Sequence, residues 1–411
     1  MQERIPVGFS SPETSGGHRS VALVSGLLQT GPEIALRVVC SLDDFARVAG
    51  EWDEFLNRLD PVPLPLMSFW LSSWWKAFGQ DRGMEMEFRC AYQGGRLVGI
   101  APLVRHVQRH RGVPVTLLKL AANGHSPYSA IVVDSDMSAA DRDVTFRLLS
   151  HVAPRELGLF FKIDQSSALK SFLLADASGF SERVGQKPSI RTPIVSIDQP
   201  WDDFYRSRPR TLKKSLNHKL NRFKNHAGLS VNAEPITRVD QRLVSELVTI
   251  SSRSWKSTIG NDLGSNLKSR QFLLNLIEKL GPSGCITGWI ARDRERPVAF
   301  ELHLTFDGVV YPIRADYDQE YRAVSPGSVL EYTALKHLFD DGTCRQYYTC
   351  ADDYWYLSHW ATDYKDLCTI ELYGDSVKLR ALHFLEYRVI PKLKPFIKPL
   401  RSTGTGSGKH G

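Results

Sequence analysis

The stretch from residue 285 to residue 348 constrains this chain more than any other. Residues 285–292 are an apolar run, 293–297 a charged turn, and 298–305 alternate in polarity as a strand requires. Asp307-Gly308 is a hairpin signal, and residues 309–315 make the next strand. The sequence Tyr321-Arg322-Ala323-Val324-Ser325-Pro326-Gly327-Ser328 then opens a helix, with Ser325 as N-cap and Pro326 at the first helical position. Leu330, Ala334 and Leu338 form one apolar stripe, widened by Leu335 and Phe339. Asp341-Gly342 stops the helix, with Gly342 suited to the left-handed position, and residues 345–348 resume as a strand. A strand that runs through a glycine-containing loop into a helix presents backbone N–H groups at the positive end of the helix dipole. That is a ready seat for a pyrophosphate. Arg322, Ser325, Gly327, Ser328 and Val329 are the residues placed to form it. Glu331, one turn further on, opposes an anion there, and a capped helix after a strand is also ordinary α/β structure.

At 411 residues the chain has room for two or three domains of roughly 100–200 residues each. Its 42% hydrophobic and 24% charged residues allow a large core. The net charge of +7 suits an anionic ligand, a nucleic acid or an acidic surface, and selects none of them. The six cysteines form no CxxC pair and no Cys/His cluster with zinc spacing, so no metal is expected and the thiols read as those of a reducing compartment. No stretch approaches the ~20 apolar residues that span a bilayer, and residues 1–20 do not resemble a signal peptide. A cytoplasmic protein is expected. Residues 1–33, rich in Ser, Gly and Pro, and the tail 402–411 are expected to be disordered.

The first half of the chain follows a similar order. Residues 88–92 and 97–104 are strands about the turn Gln93-Gly94-Gly95, residues 115–120 and 130–133 continue the sheet, 139–152 is a helix and 157–163 a strand. Each half begins with a helix-rich stretch: residues 43–59 and 69–78 in the first, 208–226, 238–258 and 267–280 in the second. This predicts a duplicated α/β unit joined near 196–203. The division expected is a disordered segment at 1–33, a first unit at 34–198, a second at 199–375 and a basic C-terminal helix and tail at 376–411. The first half's counterpart of Ser325-Pro326-Gly327 is Asp134-Ser135-Asp136-Met137-Ser138-Ala139, which has two carboxylates and no glycine. A nucleotide-bearing ligand therefore belongs to the second half.

The helix at 208–226 carries Leu212, Leu216, Leu220 and Phe223 on one stripe and Arg210, Lys213, Lys214, Lys219, Arg222 and Lys224 elsewhere. It is either a solvated face or a cationic wall over an anionic ligand. The aromatic run from Phe69 to Phe78 has the spacing of a core-packing helix face. Trp255 precedes the polar stretch 257–265 and is a candidate substrate contact, since loops carry such contacts more often than buried stripes do. In the tail, Leu379, Leu382, Phe384, Leu385 and Ile390 are interleaved with basic residues. That segment reads as a helix capping the domain, or as a peripheral contact with an anionic membrane.

Taken in order, these motifs resemble the CelD/BcsL-type acetyltransferase-like family, associated with cellulose or exopolysaccharide biosynthesis and related to the FemAB-type tandem GNAT proteins. The marks run from about Leu36 to Tyr373: the helix containing Trp52, the Trp74-Trp75 pair, Ala101-Pro102-Leu103, Asn123-Gly124-His125-Ser126-Pro127-Tyr128, the basic helix after Trp201, Arg253-Ser254-Trp255, Pro297-Val298-Ala299, Tyr317-Asp318 and Ser325-Pro326-Gly327. The chain departs from the family at Leu357, where the pattern has a lysine after the tyrosine matched by Tyr356.

The resemblance implies two tandem GNAT-like units, each a mixed, mostly antiparallel sheet flanked by helices. It also implies acyl transfer from acetyl-CoA or another acyl-CoA to a small-molecule or glycan amine. Such a reaction needs a carboxylate to take the amine proton and an acid for the leaving thiolate. Glu301, Asp316 and Asp318 are the candidate bases and Tyr356 the candidate acid, with Trp255, Lys214 and Tyr354 toward the substrate. Two alternatives accompany this reading: a FemAB-like transferase using aminoacyl-tRNA, and a non-catalytic GNAT-fold binding protein in polysaccharide assembly, which the Leu357 departure would suit.

Overall fold

A computed structural model describes residues 33–80 and 83–392, so most of the segment 1–33 and the tail 402–411 lie outside the described residues. The expected hairpin order appears twice. In the first half β1 (Ile34–Val39), β2 (Met84–Gln93), β3 (Arg96–His110) and β4 (Val113–Leu120) pair antiparallel in sequence order. The short β5 (Val132–Val133) lies on β3, and β6 (Glu156–Asp164) adds parallel to β4. A closing strand, β7 (Val184–Ser196), ends the half. In the second half β8 (Leu229–Pro235), β9 (Ile286–Asp293), β10 (Arg296–Phe306) and β11 (Val309–Tyr317) repeat the meander. There β12 (Gln346–Tyr348) adds parallel to β11, and β13 (Asp363–Tyr373) closes.

The closing strands are exchanged. β13 inserts between β6 and β7, and β7 pairs with β12, so both halves share one mixed sheet of 13 strands. Read outward from the central β13–β7 pair, each arm has the same order, a parallel strand and then an antiparallel meander. The sequence-level expectation of two like α/β units holds.

The helices fall close to their expected places. Residues 43–59 correspond to Leu42–Asn57, capped by the Ser41 side chain on the Asp44 N–H, and Trp52 is buried in its middle. The basic helix is Arg210–Asn225, with Leu216 and Phe223 as its buried residues. The 238–258 stretch divides into the helix Gln241–Ser252 and a 3-10 turn, Trp255–Ile259. Trp70, Trp74 and Trp75 are buried as their spacing predicts.

Near the C-terminus, the helix Val377–Phe384 buries Leu379 and Leu382 against Val115, Leu117 and Leu157 of the first half and Tyr373 of the inserted β13. Glu386 is buried behind it and bonds Arg111 and Lys187. The segment thus caps the first arm of the sheet. No helix among the described residues is long and apolar enough to cross a membrane.

Candidate active site

The second half opens where the pyrophosphate loop was expected. β11 and β12 pair only at Val309–Gln346 and Val310–Tyr347 and then part, while β11 continues to Tyr317. A register shift opposite Leu302 and His303 leaves Ile313 without a partner, and such a bulge bends a strand away from its neighbour. Beyond β11 a 3-10 turn, Gln319–Val324, leads into the helix Pro326–Asp341. Leu330, Ala334, Leu335, Leu338 and Phe339 are its buried face, and Gly342 ends it with φ of 64°.

Ser325 departs from expectation. It precedes the helix, but with φ of 51° and without a side-chain cap bond, so it is a left-handed corner rather than a conventional N-cap. The amides of Gly327 and Ser328 lie in the first turn, where a helix has no internal acceptor for them. Lys219 of the basic helix donates to Ser328 Oγ at 3.0 Å, whereas Lys214 is exposed on the same helix. The cation brought to this loop is therefore one that charge patterning alone did not single out.

Glu331 was expected to oppose an anion here. Burial, reinforced by the charge of Glu301, pushes its carboxyl up to about 8, so at neutral pH it is mostly uncharged. The first half's equivalent loop is closed differently. Asp134 is buried, salt-bridged to Arg96 at 3.0 Å, and accepts from the Asp136 N–H.

The four residues proposed for proton transfer divide between two faces of the sheet. Glu301, on the face under the Pro326–Asp341 helix, is buried and accepts from Tyr347 Oη at 2.8 Å, with His303 Nε2 at the same distance. His303 Nδ1 has no partner among the described residues. Burial, then the charges of Glu331, Tyr354 and Glu301, raises the Tyr356 phenol to about 12. Tyr356 therefore shares the electrostatic surroundings of Glu301 and Glu331. Tyr354 stacks on it with ring centroids 5.9 Å apart, and Leu357 is buried.

Asp316 faces the opposite side, held by Ser251 Oγ, Arg314 Nε and Lys256 Nζ, each at 2.7 Å. Asp318 is paired with Arg296 and Arg253 and caps the 3-10 turn through the Glu320 N–H. Glu301 and the two aspartates therefore lie on opposite faces, and Tyr356, 44% exposed, is linked to Glu301 only through its charge.

A cleft of about 540 Å³ opens between the halves on the Asp316 face. Both edges of the strand opening contribute to it, Pro312–Ala315 from β11 and Thr349–Ala351 after β12. Trp70, Phe78 and the Asn123–His125 loop close it from the first half, and Lys256, next to the half-exposed Trp255, reaches in from the 3-10 turn. His125, Lys256 and Arg314 gave no local sequence signal as a group, because they come from three distant segments. Among the described residues no group of His, Cys, Asp and Glu could hold a metal ion.

A duplicated sheet with strand-exchanged halves and one opened parallel pair is an arrangement of two tandem GNAT-like units. Residues 210–366 match the family profile described as "Acetyltransferase (GNAT) domain", which encloses the opened strands and the loop. No curated protein matches the chain in sequence. Among solved structures it is similar to FemX, at 11% identity and a TM-score of 0.52, covering 82% of this chain and 98% of that one. A conserved protein of unknown function from Bacteroides thetaiotaomicron VPI-5482 has 11% identity and a TM-score of 0.51, covering 83% and 100%. The C-terminal domain of a putative lysylphosphatidylglycerol synthetase from Agrobacterium fabrum has 11% identity and a TM-score of 0.50, covering 83% and 95%. At such identities the likeness is one of fold.

Proposed function

We propose that this protein is an acyl-CoA-dependent N-acyltransferase acting on an amine acceptor in exopolysaccharide or cell-envelope synthesis. The observation that carries the reading is the opening between β11 and β12 beside the first turn of the Pro326–Asp341 helix. The loop fits a pyrophosphate: Arg322, Ser325, Gly327, Ser328 and Val329 surround the free end of the helix, Lys219 stands beside Ser328, and Glu331 is largely neutral.

Acyl-CoA, when bound, supplies the thioester whose C–S bond is exchanged for an amide C–N bond. Glu301, oriented by Tyr347 and His303, accepts the proton of the attacking amine, directly or through a water. Tyr356, whose raised phenol stays protonated at neutral pH, holds the proton that the departing sulfur requires. Asp316 and Asp318 are engaged by two cations each and serve to fix the strand end. Trp255 and Tyr354 are half-exposed, beside Lys256 in sequence and stacked on Tyr356 respectively, and Lys214 is left to long-range attraction.

The test is calorimetry of the full chain with acetyl-CoA and longer acyl-CoAs, beside a thermal shift with tRNA. Saturable acyl-CoA binding is expected. Stabilisation by tRNA without acyl-CoA binding would transfer the reading to an aminoacyl-tRNA donor. Binding of neither would leave a GNAT scaffold used for another ligand, as the Leu357 departure suggests.

A further inference from the structure

The cleft between the halves has an unbalanced lining. Lys256, Lys268 and Arg314 line it, and among the described residues no carboxylate does. Asp316, which does not line it, is shared between Arg314 and Lys256. A further cation, buried like Arg314, stands behind the Asn123–His125 loop. Lys162 is 4% exposed, and its Nζ donates to Ser126 O at 2.7 Å and reaches Gly124 O at 3.5 Å. No carboxylate pairs with it among the described residues, and its thiol neighbour Cys350, pushed up to about 12 by burial, stays neutral. Taking cations out of water without matching anions is costly. A ligand that brings negative charge into the cleft removes that cost.

The position of the cleft says what such a ligand does. Both edges of the strand opening line it, and the pyrophosphate loop does not. Resting on the acyl-transfer reading above, the cleft is then the approach for the acceptor, whose amine reaches Glu301 on the other face through the opening between β11 and β12.

We propose that the acyl acceptor carries an anionic group of its own, a phosphate or a carboxylate, which binds in this cleft between Lys256, Arg314 and the loop backed by Lys162. The same positive field acts on the acceptor's amine and favours its neutral, nucleophilic form. His125, which lines the cleft and bonds Ser269 at 2.8 Å, lies in the same field. Burial, then the charges of Arg314, Lys162 and Lys256, lowers its imidazole to about 4.

His125 also supplies the readout. The full chain is titrated by NMR, following the His125 ring, in the presence of inorganic phosphate, acetate or neither. A bound anion within a few ångströms should raise the His125 pKa by roughly one unit or more, saturably, and Lys256→Gln should remove the anion dependence while Lys256→Arg retains it. A larger effect of phosphate than acetate assigns a phosphorylated acceptor, and the reverse a carboxylate. An unshifted His125 in both anions, or an unchanged response in folded Lys256→Gln, overturns the proposal. Acetyl-CoA calorimetry on the same samples separates the two readings. Acetyl-CoA binding with no anion response refutes only the anionic acceptor. An anion response without acetyl-CoA binding leaves an anion site and refutes its role in acyl transfer.

Discussion

Gly327→Asp tests the pyrophosphate loop with little risk of confusing binding with folding. A Cβ built at Gly327 meets only Tyr317 Cδ1, at 3.7 Å, which is ordinary contact, and the residue is not in the left-handed region. An aspartate in the first turn of a helix also complements the dipole, by about 0.3–1 kcal/mol. The variant should therefore melt no lower than the wild type. Toward a bound pyrophosphate the same charge is repulsive. A like-charge pair about 4 Å apart costs about 1 kcal/mol in water and about 4 at the effective dielectric of a protein surface. Gly327 is half-exposed, so a net penalty of about 1–3 kcal/mol is expected, or roughly 5- to 150-fold in Kd. Gly327→Ala, which adds the Cβ without the charge, should bind acetyl-CoA nearly as the wild type does. Calorimetry at two salt concentrations measures both variants, and the Gly327→Asp penalty should shrink at the higher one. A folded Gly327→Asp protein with wild-type acetyl-CoA affinity would refute the placement of the phosphates on this loop.

Two further outcomes follow from the titrating groups. Tyr356→Phe removes only a hydroxyl, so kcat should fall by about 10²–10⁴-fold with acyl-CoA affinity little changed; retained turnover would make Tyr356 structural. His125 is neutral in the folded protein down to about 4, against an ordinary value of 6.5, so between these limits the unfolded chain binds a proton that the native state does not. Stability should therefore fall as pH drops from 6.5 to 4, by about 2–3 kcal/mol allowing for partial exposure. Denaturant melts of wild type and His125→Gln across that range check it, and parallel pH profiles would refute the assignment.

The legible parts were those governed by local rules. The hairpin at Asp307-Gly308, the stripe from Leu330 to Phe339 and the stop at Gly342 are each set by residues a few positions apart, and each is observed. Ser325 was readable as the helix boundary but not as a left-handed corner, because serine's usual role there is capping. The exchanged strands were hidden for two reasons. β7 contains Pro188 and Pro193, which argue against a central strand. It accommodates them where its register with β13 shifts between Asp366 and Cys368, and at the pairing with Tyr364. The arm on which a closing strand docks is also a tertiary choice, invisible to periodicity. The same limit applied to the site. Glu301 and Tyr356 could be nominated from the chemistry the fold requires, but the sheet face on which each candidate falls depends on β-strand alternation and the bulge at Ile313. Lys162 emerges only when distant segments are brought together, and Lys219 and His125, each inside a motif the sequence displays, gain their places at the loop and the cleft only then.

The strand exchange has a consequence for how the chain folds. β13 belongs to the second half in sequence, yet Leu367, Cys368, Ile370, Leu372 and Tyr373 are all 1% exposed or less, and Cys368, Ile370 and Leu372 pack with Leu118, Phe160, Ile163 and Phe172 of the first. Burying one large apolar side chain contributes about 1.5–3 kcal/mol. Losing the four larger ones therefore removes about 6–12 kcal/mol, comparable to the whole 5–15 kcal/mol that stabilises a typical domain. A fragment 34–198 would also carry β6 and β7 with the strand between them missing. Expressed alone, it should not fold cooperatively. A full chain cut at a protease site inserted near 198–200 should stay associated, because the cut leaves every strand pair intact. Circular dichroism melts and NMR dispersion of the fragment, with gel filtration of the cut protein, test both halves of the statement. A cooperatively melting 34–198 fragment would show that the exchanged strand is an accessory to a self-sufficient unit. Its failure to fold beside an associated cut chain would mean that the two units form as one, so that the cleft between them is fixed by the same strands that hold the sheet together.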